Sequence, residues 1–299
     1  MNIIIHDVGM RDGLQIEKDL IPLEKKIEWI KKLMDSGIDI IQMGSFVNPK
    51  KVPSMADTEQ LFIQLNKIKK PSTVFSALVL NEKGVERGMS VDVEMFCMGV
   101  SASETHSQKN TGMSVSEATE RIIAMAKECI KAGKKVQVSV QSAFGCGFEG
   151  KIPEERVISI VEKYLEAGIK NISLADTAGH GNPEKVEKLY SAIFKLDSTV
   201  ECACHFHNTY GLGLLNCYTA MKAGVKYIET AFGGLGGCPF TKSPAGNVST
   251  EDFVHLLQQL DIRQDIKLDK VIEIAKDTSS FFKRELPGMI YKIGKLREM

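Results

Sequence analysis

No sign of charge dominates this sequence: 38 lysines and arginines face 38 aspartates and glutamates, leaving a formal net charge of zero. That balance excludes the electrostatic footprint of a nucleic-acid binder and offers no attraction to an anionic membrane surface. No apolar run approaches the ~18 residues of a membrane span. The opening MNIIIHDVGMRDG has no basic leader, and its apolar stretch at 3–5 is too short for a signal peptide. Nor is there a disulfide framework, because the seven cysteines (97, 129, 146, 202, 204, 217 and 238) are odd in number and irregularly spaced. A soluble, cytoplasmic protein with reduced thiols is expected. No low-complexity tract, linker or composition break marks a second domain, and 43% hydrophobic residues over 299 positions supply a core without a disulfide or metal staple.

What is present is an alternation of short apolar runs with longer helical patterns. Eight strand-like runs stand out: IIIHD (3–7), IDIIQM (38–43), TVFSALV (73–79), VDVEMFCM (91–98), KVQVSV (135–140), NISLA (171–175), ECACHFH (201–207) and YIETA (227–231). The clearest helix between them is 114–133, with Ser114 as N-cap, Glu117 three residues on, and Gly133 past its end. The turns DSGIDII, EAGIKNI and KAGVKYI each place Gly just beyond a helix and before a strand, which reads as a repeated unit. Eight such units in one chain predict a single (β/α)8 barrel over 1–262, with a doubly wound open sheet as the runner-up. The charged, helical stretch 263–299 is expected to pack on the barrel as an extension.

Barrel chemistry sits at the C-terminal ends of the strands, and six strands end in polar groups: Arg11-Asp12-Gly13, Gln42-Met43-Gly44-Ser45, Gln141-Ser142, Asp176-Thr177, His205-Phe206-His207-Asn208, and the segment GGLGGCPFTKSPAGN (233–247). His205 and His207 lie two apart in a strand, so both imidazoles face one side and reach one point. Cys202 and Cys204 have the opposite parity and read as packers against the helix layer, not as soft ligands. Asp12 is the candidate carboxylate and Asn247 the candidate amide oxygen. Two nitrogens and two oxygens with open positions suit Mg²⁺ or Mn²⁺, with Co²⁺ or Zn²⁺ as alternatives. Taken alone, Asp12 before Gly13 would be an ordinary turn residue. Four glycines in five residues before Cys238 make either a phosphate cradle or a mobile lid. A thiol carried there is placed for proton transfer or nucleophilic attack.

On these residues the chain resembles the 3-hydroxy-3-methylglutaryl-CoA lyase family of metal-dependent lyase and acyltransferase barrels. VGMRDGLQIE, SFVNPKKVPSMAD, SASETHSQKN, GCGFEGKIP, SLADTAG, HFHNTYG and GLGGCPFTKSPAGNVSTED follow the family's order over nearly the whole sequence. The last motif is the most specific, since it sets Cys238 and Asn247 nine residues apart. The resemblance implies that Asp12, His205, His207 and Asn247 ligate a divalent cation and that Arg11 sits over the thioester oxygen. It implies that Cys238 works from the loop and that Asp176 supports the site from the sixth strand. The implied reaction is retro-Claisen cleavage of the C2–C3 bond of a 3-hydroxyacyl-CoA, yielding acetyl-CoA and acetoacetate from the family substrate. The tertiary hydroxyl, its pKa lowered by cation chelation together with the acid's carboxylate, gives its proton to His205 or Asp12. Arg11 stabilises the thioester enolate, and Cys238 returns a proton to its carbon. Lys109, Asn110 and Lys242 are candidate contacts for CoA phosphates or the acyl carboxylate, and a homodimer is expected by family analogy.

Three departures stand against that pattern. Gln42 in IIQMGSFV occupies the family's catalytic Glu, Asn208 follows the second histidine where Asp is usual, and His180 replaces an apolar residue in ADTAGHG. Gln42 keeps the size and accepts a hydrogen bond from Arg11 but cannot act as a base. An Arg11 left uncompensated would suit a more anionic or differently branched 3-hydroxyacyl-CoA. Two other readings compete: a relative condensing or cleaving acetyl-CoA with a 2-oxo acid, and a catalytically impaired acyl-CoA-binding homologue.

Overall fold

A computed structural model of the chain describes residues 2–237 and 246–296. Eight strands, β1 (Ile4–Asp7), β2 (Ile40–Ser45), β3 (Val74–Leu78), β4 (Met95–Ser101), β5 (Lys135–Gln141), β6 (Asn171–Asp176), β7 (Glu201–Phe206) and β8 (Tyr227–Thr230), pair in parallel and in sequence order. The ring closes through β8 onto β1, with Ile4 opposite Tyr227 and Asp7 opposite Thr230. This is the (β/α)8 barrel expected from the repeating units.

The helix layer runs α1 (Leu23–Ser36), α2 (Thr58–Leu65), α3 (Glu82–Ser90), α4 (Glu104–Thr111), α5 (Val115–Lys131), α6 (Glu154–Glu166) and α7 (Pro183–Leu196). It continues with α8 (Gly213–Lys222), α9 (Thr250–Gln259), α10 (Leu268–Phe282) and the single turn α11 (Ile290–Ile293). Helix α5 begins in a full capping box, the Ser114 hydroxyl taking the Glu117 N–H while the Glu117 carboxylate takes the Ser114 N–H. The three recurrent turns carry Gly37, Gly168 and Gly224 at φ of 92°, 80° and 107°, the left-handed conformation that side chains resist.

Helix α10 joins the helix layer beside α1. Trp29 of α1 is fully buried, donates to the Asp277 carboxylate at 2.6 Å and meets Phe281 edge-on at 6.0 Å. Burying an aromatic of this size stabilises the contact by roughly 2–3 kcal/mol. Among the described residues no helix is long and apolar enough to cross a membrane.

Each strand is displaced at one end or both from the sequence expectation, and two of these shifts have a clear local reason. Val91 and Asp92 donate their N–H groups to Gly88 and Met89, closing α3, so β4 starts later, at Met95. His207 leaves the β7 ladder and forms an isolated antiparallel bridge with Asn247. That bridge sets the candidate amide ligand beside the second histidine.

Candidate active site

The loop after β1 winds as a π-turn, Gly9–Gly13, with the Val8 carbonyl accepting the N–H groups of Arg11, Asp12 and Gly13. π-turns often mark functional sites. Asp7 anchors the turn, taking the N–H of Gly9 at 2.8 Å, the N–H of Phe232 at 3.0 Å and the Thr250 hydroxyl at 2.6 Å. Burial pushes the Asp7 carboxyl up to about 6 against these hydrogen bonds. The β1 and β8 ends are thereby tied together, and Arg11 and Asp12 are presented at the barrel mouth.

Arg11, Asp12, Gln42, His205 and His207 line one cavity of about 340 Å³, with Asn110 at its mouth. Arg11 donates through Nη1 to Asp12 at 2.5 Å and through Nε to the Gln42 side-chain oxygen. The expected acceptor role of Gln42 is realised. The expectation of an uncompensated Arg11 is not, because Asp12 lies adjacent in the same turn and takes the charge.

Asp12 Oδ2 stands 3.9 Å from His205 Nε2 and 3.7 Å from His207 Nε2, and the two histidine nitrogens are 3.1 Å apart. Burial works to raise the Asp12 pKa, yet Arg11 and both histidines hold it well below the usual carboxylate range. His207 is pushed down to about 4 by burial and by His205, so it is neutral near pH 7 with a lone pair to offer. His205 is also buried, but the Glu229 hydrogen bond and charge outweigh that burial and raise its pKa. Asn247 donates from Nδ2 to the Leu235 carbonyl and to Asp12 Oδ2, both at 2.9 Å. A carbonyl only accepts, so the nitrogen is assigned to that side, and Oδ1 is buried with no hydrogen-bond partner among the described residues. Orphaned acceptors of this kind are rare in folded proteins unless an ion or water completes them. Gly236 permits the approach, since a Cβ there would stand 2.6 Å from Asn247 Nδ2. Two imidazoles, a carboxylate and a free amide oxygen fit a hard or borderline divalent cation. Asp12, His205 and His207 stand close enough together to share one ion.

Other residues fall elsewhere. Asp176 is fully buried and does not line the cavity; its oxygens take the N–H groups of His180 and Gly181, each at 2.8 Å, and so brace the β6–α7 loop. Asn208 is turned to the start of α8, accepting the Gly213 N–H at 3.0 Å, a task an aspartate carboxylate would perform equally. His180 packs against Tyr210 at 6.0 Å between ring centres. Lys109 lies over the Phe148 ring at 4.8 Å on α4. Cys202 and Cys204 are buried with the parity expected, Cys204 against Cys217 of α8. Cys238 and Lys242 lie outside the described residues.

Glu229 is the functional residue that sequence reasoning missed. It faces His205 across the β7–β8 register, 3.0 Å from His205 Nδ1, and its other oxygen takes the Ser173 hydroxyl at 2.8 Å. Burial opposes its charge, but His205 and neighbouring donors keep its pKa lowered. A carboxylate holding Nδ1–H fixes the tautomer and aims the Nε2 lone pair into the site. The available signal was a lone acid inside an apolar strand, at the parity that faces the barrel axis. Glu229→Gln is expected to weaken divalent-cation affinity roughly 10- to 100-fold; calorimetric titration showing unchanged affinity would remove the orienting role.

Comparison with known proteins shows the family. The family model described as HMGL-like matches residues 2–278. A hydroxymethylglutaryl-CoA lyase of Bacillus subtilis, YngG, is 36% identical over 286 residues, covering 96% of this chain and 95% of that protein. The human mitochondrial hydroxymethylglutaryl-CoA lyase is 35% identical over 269 residues, covering 90% of this chain and 82% of its own length. Among solved structures, an HMG-CoA lyase from Acinetobacter baumannii in complex with coenzyme A and 3-methylmalate superposes with a TM-score of 0.92 at 35% identity, covering 100% of this chain and 98% of that one. By sequence and barrel alike, the chain belongs to the HMGL-like family.

Proposed function

We propose that this chain is a metal-dependent carbon–carbon lyase that cleaves the C2–C3 bond of 3-hydroxy-3-methylglutaryl-CoA to acetyl-CoA and acetoacetate. The observation that carries the reading is the convergence of Asp12, His205 and His207 at the barrel mouth beside the orphaned Asn247 oxygen, with Arg11 on the same wall. The relatives' common lyase activity supports it. The cavity has room for an acyl group and its thioester but not for a whole coenzyme. The nucleotide therefore lies outside, toward α4, where Asn110 and Lys109 are proposed phosphate contacts, with Lys242 as a third from the loop.

Asp12, His205, His207 and Asn247 would hold the cation, proposed as Mg²⁺ or Mn²⁺. When bound, a divalent cation supplies a Lewis acid that eases deprotonation of the substrate hydroxyl. With Nδ1–H of His205 held by Glu229 and Nε2 turned to the cation, Asp12 is the group that takes that proton, and Glu229 keeps His205 in its ligating tautomer. The C2 fragment departs as a thioester enolate. Arg11, with Nε on Gln42 and Nη1 on Asp12, keeps Nη2 without a partner among the described residues and directs it to the enolate oxygen. Cys238 protonates the enolate carbon, a role carried over from the family motif. Gln42 is a neutral acceptor that positions Arg11 and moves no proton. The homodimer is carried by the family resemblance alone, and the cytoplasmic location by the unpaired cysteine pattern alone.

The test is incubation of the Mg²⁺- or Mn²⁺-loaded protein with 3-hydroxy-3-methylglutaryl-CoA, following acetyl-CoA and acetoacetate by mass spectrometry. Turnover abolished by a chelator and by Cys238→Ala is the expected outcome. A metal-replete protein that binds the thioester without cleaving it would overturn the reading in favour of the impaired, acyl-CoA-binding one.

A further inference from the structure

The C-terminal extension does more than join the helix layer. After α10 the chain forms a strap, residues 284–291, held at both ends. Arg284 donates to Glu17 of the β1–α1 loop at 2.5 Å. At the other end the Asp252 carboxylate takes the N–H groups of Met289 and Ile290, at distances between 2.7 and 3.0 Å. The Tyr291 hydroxyl accepts the Leu286 N–H at 2.7 Å and folds the strap on itself.

Between these ends the strap lies on Gly233 and Gly234. A Cβ on Gly233 would stand 2.4 Å from Leu286 Cδ1, and one on Gly234 would stand 3.2 Å from Pro287 Cβ. Both glycines adopt left-handed backbone, at φ of 66° and 67°, a conformation that glycine enters and leaves freely. Gly233 is gripped from both sides: its carbonyl accepts the Gly288 N–H at 3.0 Å, and its N–H donates to Glu251 Oε2 at 2.9 Å. Gly288 also lies against that carboxyl, since a Cβ there would stand 2.4 Å from Glu251 Oε1. Two residues beyond Gly233, the Leu235 carbonyl accepts the backbone N–H of Asn247 at 3.1 Å and its side-chain Nδ2 at 2.9 Å. That carbonyl sets the orientation of the Asn247 amide.

We propose that the strap is a positioning element of the cation site: it holds Gly233 and Gly234 in the conformation that sets the Leu235 carbonyl where it orients Asn247. The inference rests on the cation-binding reading of Asp12, His205, His207 and Asn247. No strap residue lines the cavity. The strap acts through two hydrogen-bonded steps, Gly288 to Gly233 and Leu235 to Asn247. Glu251 belongs to the same clamp as an acceptor and not as a charge, since burial pushes its carboxyl up to about 8 and leaves it largely protonated at neutral pH. Partners that orient a ligating group typically contribute about 10- to 100-fold in metal affinity.

The experiment is calorimetric titration of the full chain with Mn²⁺, beside thermal melts without it. Gly288→Ala sets a methyl group against Glu251, and Asp252→Ala frees the far end of the strap. Each is expected to weaken Mn²⁺ binding roughly 10-fold. Saturating Mn²⁺ is expected to restore most of the turnover on 3-hydroxy-3-methylglutaryl-CoA, because the ligands themselves are intact. Glu251→Gln keeps an acceptor for Gly233 without the charge and is expected to bind Mn²⁺ as the wild type does. Thr119→Val removes a buried hydroxyl from α5, away from the strap, and serves as a destabilised control with unchanged affinity. Wild-type affinity in both Gly288→Ala and Asp252→Ala would overturn the proposal. So would weakened binding in Glu251→Gln, or an equal loss in Thr119→Val, which would make affinity a mere readout of stability. Failure of the cation reading is told apart from these by a wild type that binds no Mn²⁺ at all.

Discussion

Arg11→Met lowers kcat by about 10²- to 10³-fold, the usual effect of removing one donor from a developing oxyanion, with a much smaller change in KM. The split follows from geometry. Arg11 is held on both sides, by Gln42 and by Asp12, before any substrate arrives, so its remaining donor needs no reorganisation as charge develops on the thioester oxygen. An interaction made chiefly in the transition state appears in kcat and kcat/KM together. Divalent-cation affinity is expected to hold or rise, because Asp12 loses the guanidinium that competes for its charge. The Gln42 oxygen is left buried without its donor, which costs about 1–3 kcal/mol of stability. A variant that loses cation affinity in step with kcat would show that Arg11 builds the metal site and does not serve the enolate.

His207→Ala removes cation binding and turnover together, the largest loss expected from any single ligand. Metal-free stability should move little. His207 is neutral, held near 4, and its Nδ1 is buried with no hydrogen-bond partner, so its only side-chain hydrogen bond among the described residues is with His205. The wild-type protein, by contrast, gains about 2.7 kcal/mol when the free cation stands at 100 times its dissociation constant, a rise of several degrees in melting temperature. Thermal melts with and without Mn²⁺ check this: the shift should be present in the wild type and absent in the variant. A variant that melts well below the wild type in both conditions would make His207 a packing residue.

The location of the site was legible because its signals are local. Parity within one strand brought His205 and His207 to one point, and the same parity sent Cys202 and Cys204 to the helix layer. The Asp-Gly turn after β1 carried Arg11 and Asp12, and strand ends were the correct place to look. The charge argument over Gln42 failed in part because the Arg11–Asp12 contact joins neighbours whose side chains are brought together only by the π-turn. Asp176 and Asn208 stood at the right ends of the right strands, yet both spend their oxygens on backbone N–H groups of their own loops. Polar residues at strand ends serve loop closure as readily as chemistry, and spacing alone does not separate the two.

By itself the sequence determined the eight-fold alternation, the turns that end the helices, the histidine pair and the motif linking Cys238 to Asn247. These depend on hydrophobic period, capping chemistry and residue order, all of which act within a few residues of one another. Only the tertiary structure decided that Glu229 bonds to His205 and that Asn247 keeps an oxygen without a partner among the described residues. These depend on the register between β7 and β8 and on the bridge between His207 and Asn247. Register is fixed when the barrel closes and β8 meets β1, so no stretch of the chain read alone contains it.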